Sequence, residues 1–284
     1  MNVEDKLNSK TPKDTPLLWI GYILLALIFL LGGPANAQSA TDNEIFISTP
    51  SSSDDLDLTI QQAGYNQEIN FSIGGARNIV DISQTGTNNT VKYTDTWGSG
   101  YNWGGDLAGD DNSITIKQHT TTSYSPSNNY FGFHISGNNN TVNFGQGYNY
   151  NPSTNTWTQD NDEYGGMYVR LDIHGNNNNL DGYQRNNDAN DTQHMEINLY
   201  SNYNDVFLKQ REGDHYLSLT TNNDYNDVDV TQIGTAAKSA TITLGGSYGT
   251  TLNLLQQGTT NQTYTLTQDC QTAGGCSVSV TQGQ

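Results

Sequence analysis

The segment VFLKQREGDHYLSLTTNNDYNDVDVTQIG, residues 206–234, indicates the fold of the chain. Within it the run VFLKQ (206–210) returns as VDVTQ (228–232), with the alternating run YLSLT (216–220) between the two copies. Alternation of apolar and polar residues predicts β-strands, and the Asn, Asp and Gly clusters between the runs predict turns. A fixed offset is typical of repeat proteins, whose units bury their apolar faces only against their neighbours. One unit is therefore a rung: strand, turn, strand, turn.

The pattern apolar-x-apolar-x-Gln recurs along the rest of the chain and marks the first strand of each rung. Its glutamines are Gln62, Gln84, Gln118, Gln146, Gln184, Gln210, Gln232, Gln256 and Gln282; before Gln184 the pattern is degenerate, with Gly182 in an apolar position. The second strands are predicted at 69–73, 91–93, 131–135, 169–173, 197–199, 217–219, 242–244 and 264–266. We therefore expect an all-β fold, a β-solenoid of about nine strand-turn-strand rungs forming two facing parallel sheets, with long loop insertions.

The recurring glutamine is the residue on which a functional prediction can be built. Because alternate side chains of a strand share a face, the apolar residues and the glutamine of each first strand all point into the space between the sheets. A single buried amide would be costly there. In a stack of rungs, however, each amide can donate to the carbonyl of the next glutamine, so the column satisfies itself.

The residues between the predicted strands are consistent with the turns of this strand-turn-strand-turn unit. Gly64, Gly86, Gly234 and Gly258 each follow a motif glutamine by two residues, where a tight reversal favours a positive φ. On the return side, SGNNNT (136–141), HGNNNN (174–179) and YSNYND (200–205) are connections of one type, and asparagine tolerates the left-handed conformation that such arcs need.

Four insertions interrupt the period, at 94–113, 119–130, 147–166 and 185–194. Insertions in a solenoid are expected in loops at its edges. The aromatic residues of the first and third insertions are Trp97, Tyr101, Trp103, Tyr148, Tyr150, Trp157 and Tyr164. These side chains either fold back over the rung ends or contact a polysaccharide.

The N-terminal segment has the pattern of a secretory signal peptide. Three lysines precede the apolar run LLWIGYILLALIFLL (17–31), and the A-x-A site at 35–37 predicts cleavage after Ala37. An uncleaved membrane anchor is the alternative, although the run is shorter than the roughly 20 residues that span a bilayer. The predicted organisation is a signal peptide at 1–37, a flexible leader at 38–55 and the solenoid at 56–284.

Two cysteines, Cys270 and Cys276, lie in the last loop between strands. In an exported protein such a close pair is consistent with a local disulfide. The alternative, a metal site, is less favoured because no histidine or further cysteine lies nearby. No metal or cofactor is expected.

Composition excludes several classes of partner. The formal net charge is −18, with 11 Lys and Arg against 29 Asp and Glu, and only 33% of the residues are hydrophobic. Nucleic acid and anionic lipid both require clustered basic residues, and no such cluster is present in the sequence. The low hydrophobic content also favours the thin core of a repeat fold over a single compact core.

The unit apolar-x-apolar-x-Gln-x-Gly-x-x-Asn-x-apolar resembles the curlin repeat of bacterial curli fibre subunits. VDISQTGTNNTVKY (80–93) carries Gln84, Gly86 and Asn89 in the family's positions, and residues 254–268 carry them as follows: Gln256, Gly258 and Asn261, with Gln268 beyond. Residues 58–71 match with Gln67 in place of the asparagine, and residues 228–244 keep Gln232 and Gly234 but have Ala237. The other rungs keep the first glutamine and lose the glycine spacing. The resemblance covers roughly 56–284.

This resemblance implies secretion through an outer-membrane pore and assembly, with itself and other curli-type subunits, into extracellular amyloid fibres on the cell surface. Such fibres act in the biofilm matrix, in cell aggregation and in surface adhesion. The glutamines above together with Asn89, Asn261 and Gln268 would form the self-assembly ladder. The chain departs from the family in its larger number of rungs and its long loops, which leaves a main, nucleating or capping role open.

Two other functions remain as alternatives. A non-polymerising surface adhesin could bind calcium through the oxygens of 202–205 and 222–227. A β-helix enzyme that degrades polysaccharide needs carboxylates that converge on one groove, whereas the acidic residues of this chain fall in turns or at outward strand positions. These are Asp162, Glu163, Asp224, Asp227 and Asp229. The five histidines (119, 134, 174, 194 and 215) are scattered and are expected at the surface, so we expect no enzyme.

Overall fold

The computed structural model describes residues 43–49, 55–92, 105–109, 111–119, 129–137, 139–151, 156–159, 166–175, 177–185, 192–200, 204–212, 214–222, 225–234, 237–245, 247, 250–271 and 275–283. The predicted signal peptide lies outside these residues. Within them, no helix has the length and hydropathy that a membrane crossing requires. The description below concerns the unit that begins at Thr41.

The described residues form nineteen β-strands and no helix. The strands are β1 (Asn43–Ser48), β2 (Asp57–Ile73), β3 (Ile79–Lys92), β4 (Gly105–Ala108), β5 (Ser113–His119), β6 (Asn129–Ser136), β7 (Thr141–Gln146), β8 (Tyr148–Asn151), β9 (Thr156–Gln159), β10 (Met167–His174), β11 (Asn179–Arg185), β12 (Thr192–Leu199), β13 (Asp205–Arg211), β14 (Asp214–Thr221), β15 (Asp227–Ile233), β16 (Lys238–Leu244), β17 (Thr251–Gln257), β18 (Gln262–Gln268) and β19 (Ser277–Gln282).

The strands stack in parallel in two rows. The first row runs β2, β3, β5, β7, β11, β13, β15, β17, β19. The second row runs β1, β2, β3 with β4, β6, β10, β12, β14, β16, β18. The all-β solenoid predicted from the sequence is confirmed.

The two rows belong to one hydrogen-bonded sheet of 17 strands, rather than to two separate sheets as expected. The reason is that β2 and β3 are long strands whose N-terminal halves lie in the first row and whose C-terminal halves lie in the second. The turns at Gly64 and Gly86 are tight enough for the strand pairing to continue around the corner, so the rows are joined there.

The number of strand-turn-strand rungs also differs from the nine or so that were expected. Six rungs have the predicted form of one separate strand in each row: β5–β6, β7–β10, β11–β12, β13–β14, β15–β16 and β17–β18. The first two rungs are formed by the continuous strands β2 and β3, the latter completed by β4. At the other end β19 stands in the first row alone among the described residues.

The core lies between the rows and consists of the inward-facing apolar residues. In β13, for example, buried and exposed or half-buried positions alternate strictly from Asp205 to Gln210, as period-two alternation requires. Four buried phenylalanine rings lie in this core, with the centroids of Phe131 and Phe144 4.9 Å apart. Gly182 explains the degenerate motif, because a Cβ there would lie 2.2 Å from Cζ of Phe144. The glycine makes room for the ring of the rung below.

Three sequence predictions on segment boundaries are corrected. Residues 43–48 were expected in the flexible leader, but they form β1, which pairs with β2 in the second row. The insertion expected at 94–113 contains β4, whose Leu107 is fully buried, because the second strand of that rung is interrupted and then resumes. The insertions expected at 119–130 and 185–194 are shorter than predicted, since β6 begins at Asn129 and β12 at Thr192.

The insertion at 147–166 contains the antiparallel hairpin β8–β9, which the sequence pattern did not predict. Tyr148, Tyr150 and Trp157 lie on its strands. The other insertion aromatics, Trp97, Tyr101, Trp103 and Tyr164, lie outside the described residues.

Candidate functional site: amide ladders and the terminal rung

The predicted glutamine column exists as a continuous ladder of hydrogen bonds. The Nε2 atom of each glutamine donates to Oε1 of the glutamine in the preceding rung, over distances of 2.7 to 2.9 Å. The ladder joins Gln62, Gln84, Gln118, Gln146, Gln184, Gln210, Gln232, Gln256 and Gln282. From Gln84 to Gln256 these side chains are at most 1% exposed. Register explains the alignment, because each glutamine lies opposite the next in the strand pairing.

The ladder also connects the two rows. Nε2 of Gln146, besides its bond to the preceding glutamine, donates to the backbone carbonyls of Asn129 at 3.0 Å and Tyr168 at 3.2 Å in the second row. Equivalent bonds to second-row carbonyls are made by Gln84, Gln118, Gln184, Gln210, Gln232 and Gln256. A primary amide has two donor hydrogens, so one serves the stack and the other ties the rows together. This double use makes glutamine the fitting residue at the position.

Three other residues expected in this ladder lie elsewhere. Asn89 is buried, but its amide donates to Oδ1 of Asn129 at 3.1 Å in the second row. Asn261 is exposed with φ 57°. The first inward position is Gln262, which follows Gly258 by four residues, whereas Asn89 follows Gly86 by three. Gln268 lies at the far end of β18, in register with Leu244 and not with any ladder glutamine.

The first inward position of the second row is a mixed polar column that the sequence reading did not recognise. Its members are Gln67, Asn89, Asn129, Met167, Gln193, His215, Lys238 and Gln262. His215 is 2% exposed, contrary to the surface position expected for the histidines. Lys238 is buried in the same column, and burial lowers the pKa of its ammonium group. The sequence conceals this column because glutamine, asparagine, methionine, histidine and lysine share the position, so no single residue type marks it in every rung.

The turn glycines fall into two groups. Gly64, Gly86 and Gly258 have φ between 116° and 138°, as predicted for the tight reversal. Gly234 does not adopt a positive φ, and the prediction for it is wrong. It serves close packing instead, since a Cβ there would lie 2.8 Å from the backbone nitrogen of Glu212.

A second buried amide column lies at the return turns and was missed. Asn78 donates to Asn112 at 3.3 Å, and a run of three bonds at 2.7 to 3.3 Å joins the asparagines of four later rungs. Those four are Asn140, Asn178, Asn204 and Asn226. Here Nδ2 donates to the following rung, opposite in direction to the glutamine ladder. The sequence carries a signal for this column, since each asparagine lies two residues before the first apolar position of the apolar-x-apolar-x-Gln motif.

This column bears on the calcium alternative. Asn204 and Asn226 are 2% exposed, and their Oδ1 atoms accept hydrogen bonds from the asparagine of the preceding rung. Of the residues that the structure describes, no group of three or more His, Cys, Asp or Glu could hold a metal ion. The two asparagines expected to offer oxygens to calcium thus have those oxygens engaged in the solenoid.

The outer face of the second row carries a stacked column of rings. The centroids of Tyr130, Tyr168, His194 and Tyr216 follow one another at 5.3, 4.5 and 4.4 Å. Burial, followed by the negative charge of Glu196, raises the pKa of Tyr168 to about 12; its hydroxyl donates to this carboxylate at 3.2 Å. Burial also lowers the pKa of the His194 imidazole. Because the rings cover each other's faces, they stabilise the stack by packing rung on rung.

Of the acidic residues considered for an enzyme site, the structure describes two. Asp227 and Asp229 are exposed on the outer face of the first row, and Asp162, Glu163 and Asp224 lie outside the described residues. Burial and then the neighbouring carboxylates of Asp229 and Asp205 raise the pKa of Asp227. Cys270 and Cys276 are paired in a disulfide, with their Cα atoms 6.0 Å apart.

The C-terminal end of the stack is the place where core residues meet solvent. Val278 and Val280 of β19 point inward by register with Leu252 and Leu254, yet they are 38% and 37% exposed. By contrast Leu58 and Ile60, at the same positions of β2, are 7% and 6% exposed. Oε1 of Gln282 accepts no hydrogen bond within the described residues, so the glutamine ladder ends there with an acceptor.

Neither a protein-family model, nor a curated protein, nor a solved structure matches this chain.

Proposed function

We propose that this protein is a secreted, self-assembling subunit of extracellular amyloid fibres of the curli type, and that it grows by adding strands to its terminal rung. The observation that carries the proposal is the terminal rung itself, where Val278 and Val280 are exposed core residues and Gln282 ends an amide ladder. An added chain would bury the two valines and donate to the glutamine, as in β-augmentation.

The edge strands β18 and β19 support this proposal because they carry none of the features that usually protect a strand edge. Native proteins usually protect exposed strand edges with charged side chains, proline or bulges. The sequences QTYTLTQ of β18 and SVSVTQ of β19 contain no charged residue and no proline. A net charge of −18 distributed over the rest of the chain would keep the subunit soluble before it docks, without blocking this end.

Secretion is supported by the signal peptide predicted at 1–37 and by the curlin resemblance, whereas cell-surface location, a role in biofilm matrix and partnership with other curli-type subunits follow from the resemblance alone. That resemblance rests on the residues of the glutamine motif, in particular 80–93 and 254–268. The ladder gives these residues a physical role that fits assembly, because identical amides stacked at the spacing of a cross-β structure continue from one chain to the next without a change of chemistry.

The experiment is a growth assay on the exported protein with a matched pair of variants. Val280→Asp places a charge at an inward position of the terminal rung, and Ser279→Asp places the same charge on the outward face of the same strand. We expect thioflavin-positive fibres from the wild type and from Ser279→Asp, and no elongation from Val280→Asp. Electron microscopy should give unbranched fibres with a repeat of about 4.8 Å along the axis.

Equal growth of the two variants would remove the terminal rung from the mechanism. A wild-type protein that remains monomeric while it binds surfaces would overturn the fibre proposal and favour the adhesin. Replacement of Gln84 and Gln256 by alanine tests the ladder in the same assay, and we expect slower growth from this variant.

A further inference from the structure

We infer that the joint between two copies is a composite rung, in which β19 of one copy and β1 of the next copy form the two halves of a single rung. The inference rests on the proposed function and adds to it which strand of the partner docks, and in which register. Its basis is that the described part of the chain ends in unmatched half rungs, one at each end, that lie in opposite rows.

The two half rungs are complementary in position. At the C-terminal end β19 lies in the first row, and no described strand lies beyond β18 in the second row. At the N-terminal end β1 lies in the second row, one rung before the second-row half of β2. A rung runs from the first row to the second. A copy stacked in parallel on the C-terminal end therefore brings its β1 onto β18, directly opposite β19.

The strand register fixes which residues meet. In the second row, Phe46 belongs to the same outward column as Asn70, Arg170 and Glu196, and this column ends at Thr265. Continued by one rung, it places Phe46 of the next copy beside Thr265. The inward columns likewise place Ile45 beside Tyr264, Ile47 beside Leu266 and Thr49 beside Gln268.

Side chains on both surfaces are suited to this contact. Ile45 and Ile47 of β1, and Tyr264 and Leu266 of β18, are half-buried residues packed against the edge of the core. A composite rung would enclose them between β18 and the next copy, and would cover Val278 and Val280 from the facing row. The joint then buries apolar surface from both copies, as a stable interface requires.

Two polar atoms at the end of the stack point to the same occupant. Within the residues that the structure describes, Nε2 of Gln268 and the hydroxyl of Tyr264 are buried atoms with no hydrogen-bond partner. Both lie in inward columns of β18 that β1 of the next copy would extend. Thr49, opposite Gln268 in that register, has a hydroxyl oxygen that can accept from the amide. Buried amide donors are rarely left unpaired, and Thr49 of the next copy would supply the acceptor for the amide of Gln268.

Disulfide trapping tests the register directly. Phe46 is 67% exposed and Thr265 is exposed on the outer face, so Phe46→Cys and Thr265→Cys change neither core nor ladder. The two variants of the exported chain, each with one free cysteine besides the Cys270–Cys276 disulfide, are mixed under oxidising conditions. Neighbouring strands bring the Cα atoms to about 4.8 Å, within the range of a disulfide. The control pairs Phe46→Cys with Thr263→Cys, which lies two residues away on the same face and edge.

We expect a covalent dimer from Phe46→Cys with Thr265→Cys, roughly tenfold more abundant than from the control pair, and little homodimer from either variant alone. A second pair, Ser279→Cys with Thr59→Cys, reports on the first row, where these residues share a column. Fibres in which the first-row pair is trapped and the second-row pair is not would overturn the composite rung and leave the proposed function intact.

Fibres in which neither pair is trapped would overturn the inferred joint as well, since the copies would then meet in another way. If the wild type forms no fibres and no pair is trapped at any concentration, both the proposed function and the composite rung fail. The variants Ile47→Asp and Phe46→Asp give an independent readout. The inward charge should suppress growth, whereas the outward charge in the same strand should not, and equal growth would contradict the role of β1.

Discussion

Replacement of one central ladder glutamine should destabilise the solenoid far more than replacement of the terminal one. Gln146→Leu preserves the approximate side-chain size and removes four bonds: three from Nε2, at 2.8, 3.0 and 3.2 Å, and one to Oε1 from Gln184 at 2.7 Å. The substitution leaves Oε1 of Gln118 without its donor and one hydrogen of Gln184 without its acceptor.

The magnitude follows from those two orphaned groups. Gln146 is fully buried and its ladder neighbours are too, so water cannot replace the lost partners. A buried polar group without a partner costs about 1–3 kcal/mol, which gives a loss of about 2–6 kcal/mol in the free energy of unfolding. Such a loss is a large part of the roughly 5–15 kcal/mol that stabilises an ordinary domain. The matched change Gln282→Leu removes one bond at an exposed position and should have a much smaller effect.

Urea unfolding of freshly purified monomer, followed by far-ultraviolet circular dichroism, measures both variants. The double substitution of Gln118 and Gln146 by leucine is the sharper test. It removes an adjacent donor and acceptor together, so its effect should be smaller than the sum of the two single effects. If Gln146→Leu and Gln282→Leu shift the midpoint equally, the ladder does not contribute to stability as argued.

Two further changes test the turns and the outer face. Gly86→Ala should prevent folding, because φ is 138° and the new Cβ would lie 1.8 Å from a backbone carbonyl oxygen of the preceding rung. The control Gly283→Ala should fold normally, because its Cβ would have its nearest neighbour at 3.5 Å. Equal yields of folded protein from the two variants would refute the steric argument. Burial raises the pKa of Asp172 above its ordinary 3.8, so its ionised form costs stability above the raised value and the cost disappears as the pH falls through it. Asp172→Asn should therefore be more stable than the wild type at pH 7, and the difference should disappear in thermal unfolding below pH 3.8. The exposed Asp229→Asn is the charge-matched control, and a difference that does not change with pH would contradict this assignment.

The ladder was predictable because its determinants are local and periodic. A strand fixes which face a side chain occupies, and a repeated five-residue pattern places the same residue type on that face in every rung. Even the degenerate rung at Gln184 was placed correctly for this reason. The asparagine column at the return turns was equally periodic, but a turn position does not reveal from sequence whether its side chain points inward.

The errors arise where spacing, rather than residue type, decides the geometry. One extra residue between Gly258 and the next strand turned Asn261 outward and brought Gln262 inward. β4 was assigned to a loop because the rung that it completes is interrupted by residues 93–104, so its link to the second row is not local. The short run at 43–48 was assigned to the leader because a strand of that length has no periodic neighbour in the sequence, only in space.

By itself, the sequence determined that the chain is a stack of parallel rungs with apolar residues and a glutamine facing inward, because these features depend on period-two alternation and a recurring offset. Only the tertiary structure decided that the two rows join into one sheet, that asparagines form a second column, and that β1 and β19 are half rungs in opposite rows. These features depend on which rung each strand pairs with and on how tightly each corner turns. Such non-local contacts are set by the packing of the whole stack and not by any single repeat.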